Sequence, residues 1–174
     1  MNEVWQEESK LVPSDGESYS HFGYDVALSG DTAIISSPYD GEIGTVGGSV
    51  YVLIRRGDGA WEEVQKLTPT DGEIGDFFGS SVAISGNTAV IGAMYEDKRD
   101  SNSGSVYMYT KIGGKWIKNV KIVPENGAAD DYFGTSVAIF GSTALFVAPN
   151  TGEDNAGEEN GGTAYIVDDI FVPC

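Results

Sequence analysis

The sequence predicts an all-β fold of antiparallel, four-stranded sheets, from three observations. A single unit recurs three times, its β-branched and aromatic runs are short and bounded by glycine-containing turns, and helical apolar spacing is absent. The unit opens on a Trp, four residues, a Lys, a Leu or Ile, one residue and a Pro, at residues 5–13, 61–69 and 116–124. Trp5, Trp61 and Trp116 lie 56 and 55 residues apart. Next come Phe22-Gly23 with VALSGDTAIIS, Phe78-Gly79 with VAISGNTAVIG, and Phe133-Gly134 with VAIFGSTALFV. The unit closes on GGSVYVL, SGSVYMY and GGTAYIV. The repeats are bounded at about 5–54, 61–111 and 116–168 within one domain spanning 1–174. A period of this length, with turns inside each copy, points to propeller blades or a linear array.

In the second copy, alternation predicts strands at 61–68, 80–85, 88–94 and 105–111, read together as one sheet. Val82 and Ile84 share one face, and Ser81, Ala83 and Ser85 the other. The Ser-Gly-Asn turn at 85–87 closes a hairpin. Alanines 83, 89 and 93 are expected to line one side, where strands approach the axis of a radial assembly. Pro69 removes a ladder donor and ends the outer strand, and Asp71-Gly72 supplies the turn that follows. Phe22, Phe78 and Phe133 are expected to be aromatic plugs between neighbouring sheets, Tyr107, Tyr109 and Trp61 to sit farther out, and Trp5, Trp61 and Trp116 to be structural.

Composition excludes several functions. The longest apolar runs fall short of the roughly 18 residues that suggest a membrane-spanning helix. A chain of 174 residues buries about 70% of its unfolded surface, enough for a real core. Twenty-seven acidic residues against ten basic ones give a formal charge of −17, which opposes binding to nucleic acid or anionic lipid. The one cysteine, Cys174, permits no intrachain disulfide. Residues 1–12 already form the first repeated strand rather than a secretion signal, and repeat edges at both ends predict a processed chain or part of a longer one.

On the Phe-Gly pairs, the SVAISG and VIGA runs and the GSVY segment, the chain resembles the FG-GAP repeat family, β-propeller units such as those of integrin α-subunits. The resemblance implies four-stranded blades around an axis, commonly six or seven, and an extracellular or organelle-luminal setting. Three blades make a partial propeller or half of a six-bladed ring. The third lacks a fourth strand, which residues 4–12 of a second copy or a different protein would supply.

Some members of the family hold calcium in the loop between second and third strands. The loops at 38–47, 94–103 and 149–160 lack the alternating carboxylates of such a site, and Lys98 and Arg99 enter the second. Glu153, Asp154, Glu158 and Glu159 in the third are the candidate metal ligands; otherwise no cofactor is expected. His21 occupies the position of Phe77 and Tyr132 and is read as a packing residue, because no partner for a general base accompanies it. No catalytic residues are assigned. Tyr39, Tyr95, Glu96 and Asp97 are the candidate contact residues at loop tips. The sequence therefore predicts a non-enzymatic structural or protein-interaction module, a subunit or fragment of a larger assembly. A cation-dependent adhesion propeller is the alternative, and a hydrolase using loop carboxylates comes third.

Overall fold

A computed structural model describes residues 7, 9–41, 47–97, 100–151 and 161–170. Eleven strands and no helix occur among them. The first sheet contains β1 (Val26–Ser29), β2 (Thr32–Ser37), β3 (Ser49–Arg55) and β4 (Trp61–Leu67), hydrogen-bonded in chain order. The second repeats it with β5 (Phe78–Ser85), β6 (Thr88–Ala93), β7 (Ser105–Ile112) and β8 (Lys115–Ile122). The third contains β9 (Ser136–Phe140), β10 (Thr143–Ala148) and β11 (Thr163–Val167). All pairings are antiparallel between chain neighbours, so each sheet is a meander whose turns the Ser-Gly and Gly-Gly steps permit.

The sequence unit and the sheet are out of phase by one strand. Residues 61–68 were expected to share a sheet with 80–111; instead β4 pairs with β3, in register from Val50↔Leu67 to Arg55↔Trp61. The Trp-to-Pro segments that open the second and third sequence repeats are thus the fourth strands of the sheets before them. Residues 9–13 carry the repeated pattern but form no strand, and no third strand lies beside them among the described residues.

Cross-strand pairs share a face, so the registers assign every core residue. The leading face of the first sheet carries Val26, Leu28, Ala33, Ile35, Tyr51 and Leu53, and its trailing face Ala27, Ile34, Val50, Val52 and Leu67. The second sheet repeats this with Val82, Ile84, Ala89, Ile91, Tyr107 and Tyr109 leading, and Ala83, Val90, Met108, Val106 and Ile122 trailing. Its leading face packs on the trailing face of the first sheet around fully buried Ile34, Val50, Phe78 and Ile91. Its trailing face meets Phe133, Ala144, Phe146 and Tyr165 of the third. The alanines therefore do not line one side: Ala83 pairs with Val90 on the trailing face, whereas Ala89 pairs with Ile84 on the leading one.

Each Phe-Gly step fastens a sheet to the one before it. The Phe78 amide donates to the Gly47 carbonyl at 2.9 Å and the Phe133 amide to the Ser103 carbonyl at 3.0 Å. This approach forces glycine at the start of the third strand, since a Cβ on Gly48 would lie 2.2 Å from the Phe78 carbonyl oxygen and one on Gly104 2.1 Å from that of Phe133. Gln65 adds a bracket between β4 and β8, accepting from the Trp116 amide at 2.8 Å and donating to its carbonyl at 2.7 Å.

Phe78 and Phe133 are plugs, fully buried and edge-on to Tyr107 and Tyr165. Phe22 meets Tyr51 in the same geometry, at 5.3 Å and 76°, but is only half-buried, with no sheet packed on that side among the described residues. Phe78→Ala or Phe133→Ala is expected to cost about 3–5 kcal/mol in urea unfolding, and Phe22→Ala about 1 kcal/mol. Equal losses at all three positions would show that the plugs do not act between sheets.

Candidate protein interface

Among the described residues the outermost faces have no neighbouring sheet. On the leading face of the first sheet Val26 is 62% exposed and Leu28 65%. Together with Leu11, Ala33, Ile35 and Trp61 they line an apolar groove of about 490 Å³. On the trailing face of the third sheet, Phe140 is 90% and Ile166 67% exposed, and Leu145 is also open to solvent. The far edge of β11 has no strand beside it among the described residues. Exposed apolar residues scattered singly are ordinary; two continuous sheet faces of them mark association surfaces.

Below each of the first two sheets lies a repeated polar cluster built from the third strand, the fourth strand and two loops. In the first, Lys66 bridges Asp15 at 2.6 Å and buried Asp40 at 2.7 Å, Tyr51 donates to Asp15 at 2.8 Å, and Ser49 donates to Asp40. In the second, Lys121 bridges Glu96 at 2.6 Å, Ser105 donates to Glu96, and Lys118 takes Asp71 at 2.6 Å. Burial is the largest single influence on the Lys121 ammonium and lowers it, but the hydrogen bonds and charges of Glu96 and Tyr107 together outweigh it and raise it. Burial pushes the phenols of Tyr51 and Tyr107, each under a lysine, up to about 12. These groups hold one another.

Glu96, expected at a contact surface, is 5% exposed and committed to Lys121 and Ser105, so it is an internal counter-ion. Asp97 is exposed and accepts from the Asn102 amide at 2.5 Å, which closes its own loop. Tyr39 and Tyr95 are brought together by Phe77. A chain of rings runs His21–Tyr39 (4.4 Å), Tyr39–Phe77 (4.7 Å), Phe77–Tyr95 (4.8 Å) and Tyr95–Tyr132 (5.5 Å) across all three sheets. His21, Phe77 and Tyr132 share left-handed φ values of 57°, 56° and 54°, a conformation that costs an L-residue about 1–2 kcal/mol and is held here by the following Phe-Gly junction. The sequence singled out Tyr39 and Tyr95 but not this arc; the aromatic residue preceding each Phe-Gly was the available signal.

Trp61 lines the exposed groove, whereas Trp116 is buried between sheets. Trp5 and the four candidate metal ligands Glu153, Asp154, Glu158 and Glu159 lie outside the described residues. No cluster of three or more metal-ligating side chains occurs among the described residues. None of their helices could cross a membrane, since there are none.

The sheets, their offset repeats and their Phe-Gly fasteners agree with comparison to known families. Residues 5–53, 61–109 and 116–167 each match the FG-GAP repeat. The chain belongs to the FG-GAP repeat family. No curated protein matches it significantly. FG-GAP repeats form β-propeller-type protein-interaction modules, and the three sheets are three such blades in an unclosed arc. The two exposed faces are the surfaces that adjoining blades cover in a closed propeller.

Two outcomes test the polar clusters. Lys121→Met is expected to cost about 3–5 kcal/mol by leaving Glu96 buried and unpaired, and the double variant Lys121→Met/Glu96→Gln is expected to recover most of it in urea unfolding. Asp76 is buried beside the Glu73 amide, and desolvation followed by the Glu96 charge raises its carboxyl to about 6. The folded chain therefore binds this proton more tightly than the unfolded one, so Asp76 contributes less stability as pH rises from about 4 to 6. The stability of Asp76→Asn relative to the natural chain is expected to grow across that window and level off above it; a pH-independent difference would refute the assignment.

Proposed function

We propose that this chain is a non-enzymatic structural and protein-interaction module, a subunit or fragment of a larger assembly whose other blades cover its outer faces. The observation that carries the reading is the pair of exposed apolar sheet faces at opposite ends of one blade array. Each matches in residue type a face buried inside the array, so the chain displays two halves of the junction it makes internally. The titratable groups of the described residues support the same reading. Lys66, Lys121, Asp40 and Glu96 are paired in structural clusters, and His21 is stacked on Tyr39. Completion by protein, in an extracellular or organelle-luminal setting, suits both these surfaces and the family to which the chain belongs.

A cation-dependent adhesion propeller is the second reading. It rests on Glu153, Asp154, Glu158 and Glu159, four carboxylates within one loop sequence, and requires a calcium-dependent rise in Tm.

Size fractionation of a native extract tests the first reading. The chain is expected to elute well above its own 18.4 kDa, and Leu28→Asp/Ile166→Asp, which alters one exposed residue on each face, is expected to shift it to the free chain. Elution of the natural chain at its own mass would overturn the reading.

A further inference from the structure

We infer that Asn126 is a site of spontaneous deamidation, whose reactants are its own side chain, the Gly127 amide and water. The site is independent of the association surfaces described above.

The same turn leads into each sheet: Pro13-Ser14-Asp15-Gly16, Pro69-Thr70-Asp71-Gly72 and Pro124-Glu125-Asn126-Gly127. Packing of the turn on its own proline imposes the glycine. A Cβ on Gly16 would lie 2.6 Å from the Pro13 Cγ, and one on Gly72 2.5 Å from the Pro69 Cγ. In the third copy the Gly127 amide donates to the Pro124 carbonyl at 3.2 Å, closing the chain over that proline. The residue before the glycine is Asp in two copies and Asn in the third. The turn thus places the least obstructed kind of backbone amide directly after an asparagine.

Glycine has no Cβ to hinder the approach of its nitrogen, and it adopts the backbone angles that ring closure requires. After losing its proton to hydroxide, the Gly127 nitrogen attacks the Asn126 Cγ. The nitrogen–Cγ bond forms, the Cγ–Nδ2 bond breaks, and ammonia leaves a five-membered succinimide. Water then opens the ring at either carbonyl. Cleavage at Cγ gives an aspartate; cleavage at the main-chain carbonyl gives an isoaspartate, with one extra methylene in the backbone. The sum is one amide and one water converted to one carboxylate and one ammonium ion.

Two features of the fold open Asn126 to this reaction. Its side chain is exposed and makes no hydrogen bond among the described residues, whereas Asn102 is held through its Nδ2 by Asp130 at 2.8 Å. The bond that restrains the nucleophile, from the Gly127 amide to Pro124, is at the far end of the ordinary N–H···O range. It lies in a turn outside the strands, where local opening is least costly. Asn87, Asn119 and Asn150 precede Thr88, Val120 and Thr151, whose branched side chains obstruct the same attack. Asn160 also precedes a glycine and lies outside the described residues.

The other two turns show what the product supplies. Asp15 accepts from Lys66 at 2.6 Å and from Tyr51 at 2.8 Å, and Asp71 accepts from Lys118 at 2.6 Å. The carboxylate at this position is where the turn is tied to a lysine of the fourth strand. Deamidation to aspartate gives the third turn the same acceptor and adds one negative charge. The isoaspartate product lengthens the backbone and opens the closure between Pro124 and Gly127. A turn that is neutral at position 126 in the newly made chain becomes acidic there with age.

Incubation of the folded chain at mildly alkaline pH, followed by glutamate-specific digestion and tandem mass spectrometry, tests the inference. Cleavage after Glu125, Glu153 and Glu159 separates Asn126 from Asn160. The expected result is progressive conversion at Asn126, at a rate that rises in proportion to hydroxide, into both aspartate and isoaspartate. Asn102 and Asn119 are expected to stay unconverted over the same incubation. Retention of Asn126 in the folded chain while a urea-unfolded sample converts would show that the closed turn protects it, and would overturn the inference. Conversion without isoaspartate would overturn it as well, because direct hydrolysis of the side chain does not pass through the ring.

Discussion

Every feature of this chain depends on the packing of one sheet face against the next. A meander of three or four short strands buries little by itself, and here both of its faces are apolar. The leading face of one sheet and the trailing face of its neighbour form the core, so stability resides at junctions rather than within units. The Phe-Gly step sets the spacing. Its backbone bonds to the glycine-bearing start of the preceding third strand while its ring fills the gap between sheets. Among the described residues the middle sheet is the one of the three with both faces covered, and it holds more of the buried apolar side chains than either neighbour.

The architecture was legible because the repeat prints the same strand, turn and plug three times. Its phase was not legible. Periodicity states that a Trp-to-Pro strand occurs once per unit but not whether it joins the sheet that follows or precedes it. The β3–β4 register shows that it precedes. Face assignment failed for the alanines for a related reason, since it depends on which residues pair across a turn, and Ala83 and Ala89 pair with partners on opposite faces. At the site level, Tyr39 and Tyr95 were identified by type, but the ring contacts through Phe77 connect residues from three blades. Glu96 was misread because its counter-ion, Lys121, lies 25 residues away on the fourth strand.

The polar clusters show how an acidic chain accommodates buried charge. Lys66 and Lys121 lie between carboxylates and above tyrosine rings, so each lysine neutralises a loop while anchoring the outermost strand. Such groups fix which strand enters the fourth position more than they add net stability. The third sheet carries Thr151 and Asn126 in their place. Strand position and charge therefore change together at the blade that has three strands among the described residues.

The central claim is that each sheet is stable only in proportion to the faces that are covered. Hydrogen exchange followed by mass spectrometry, resolved by strand and repeated across protein concentration, tests it most directly. The account predicts strong, concentration-independent protection in β6 and β7, and protection in β1, β9 and β11 that rises as the chain associates. Equal protection of all three sheets in a dilute monomer would contradict it.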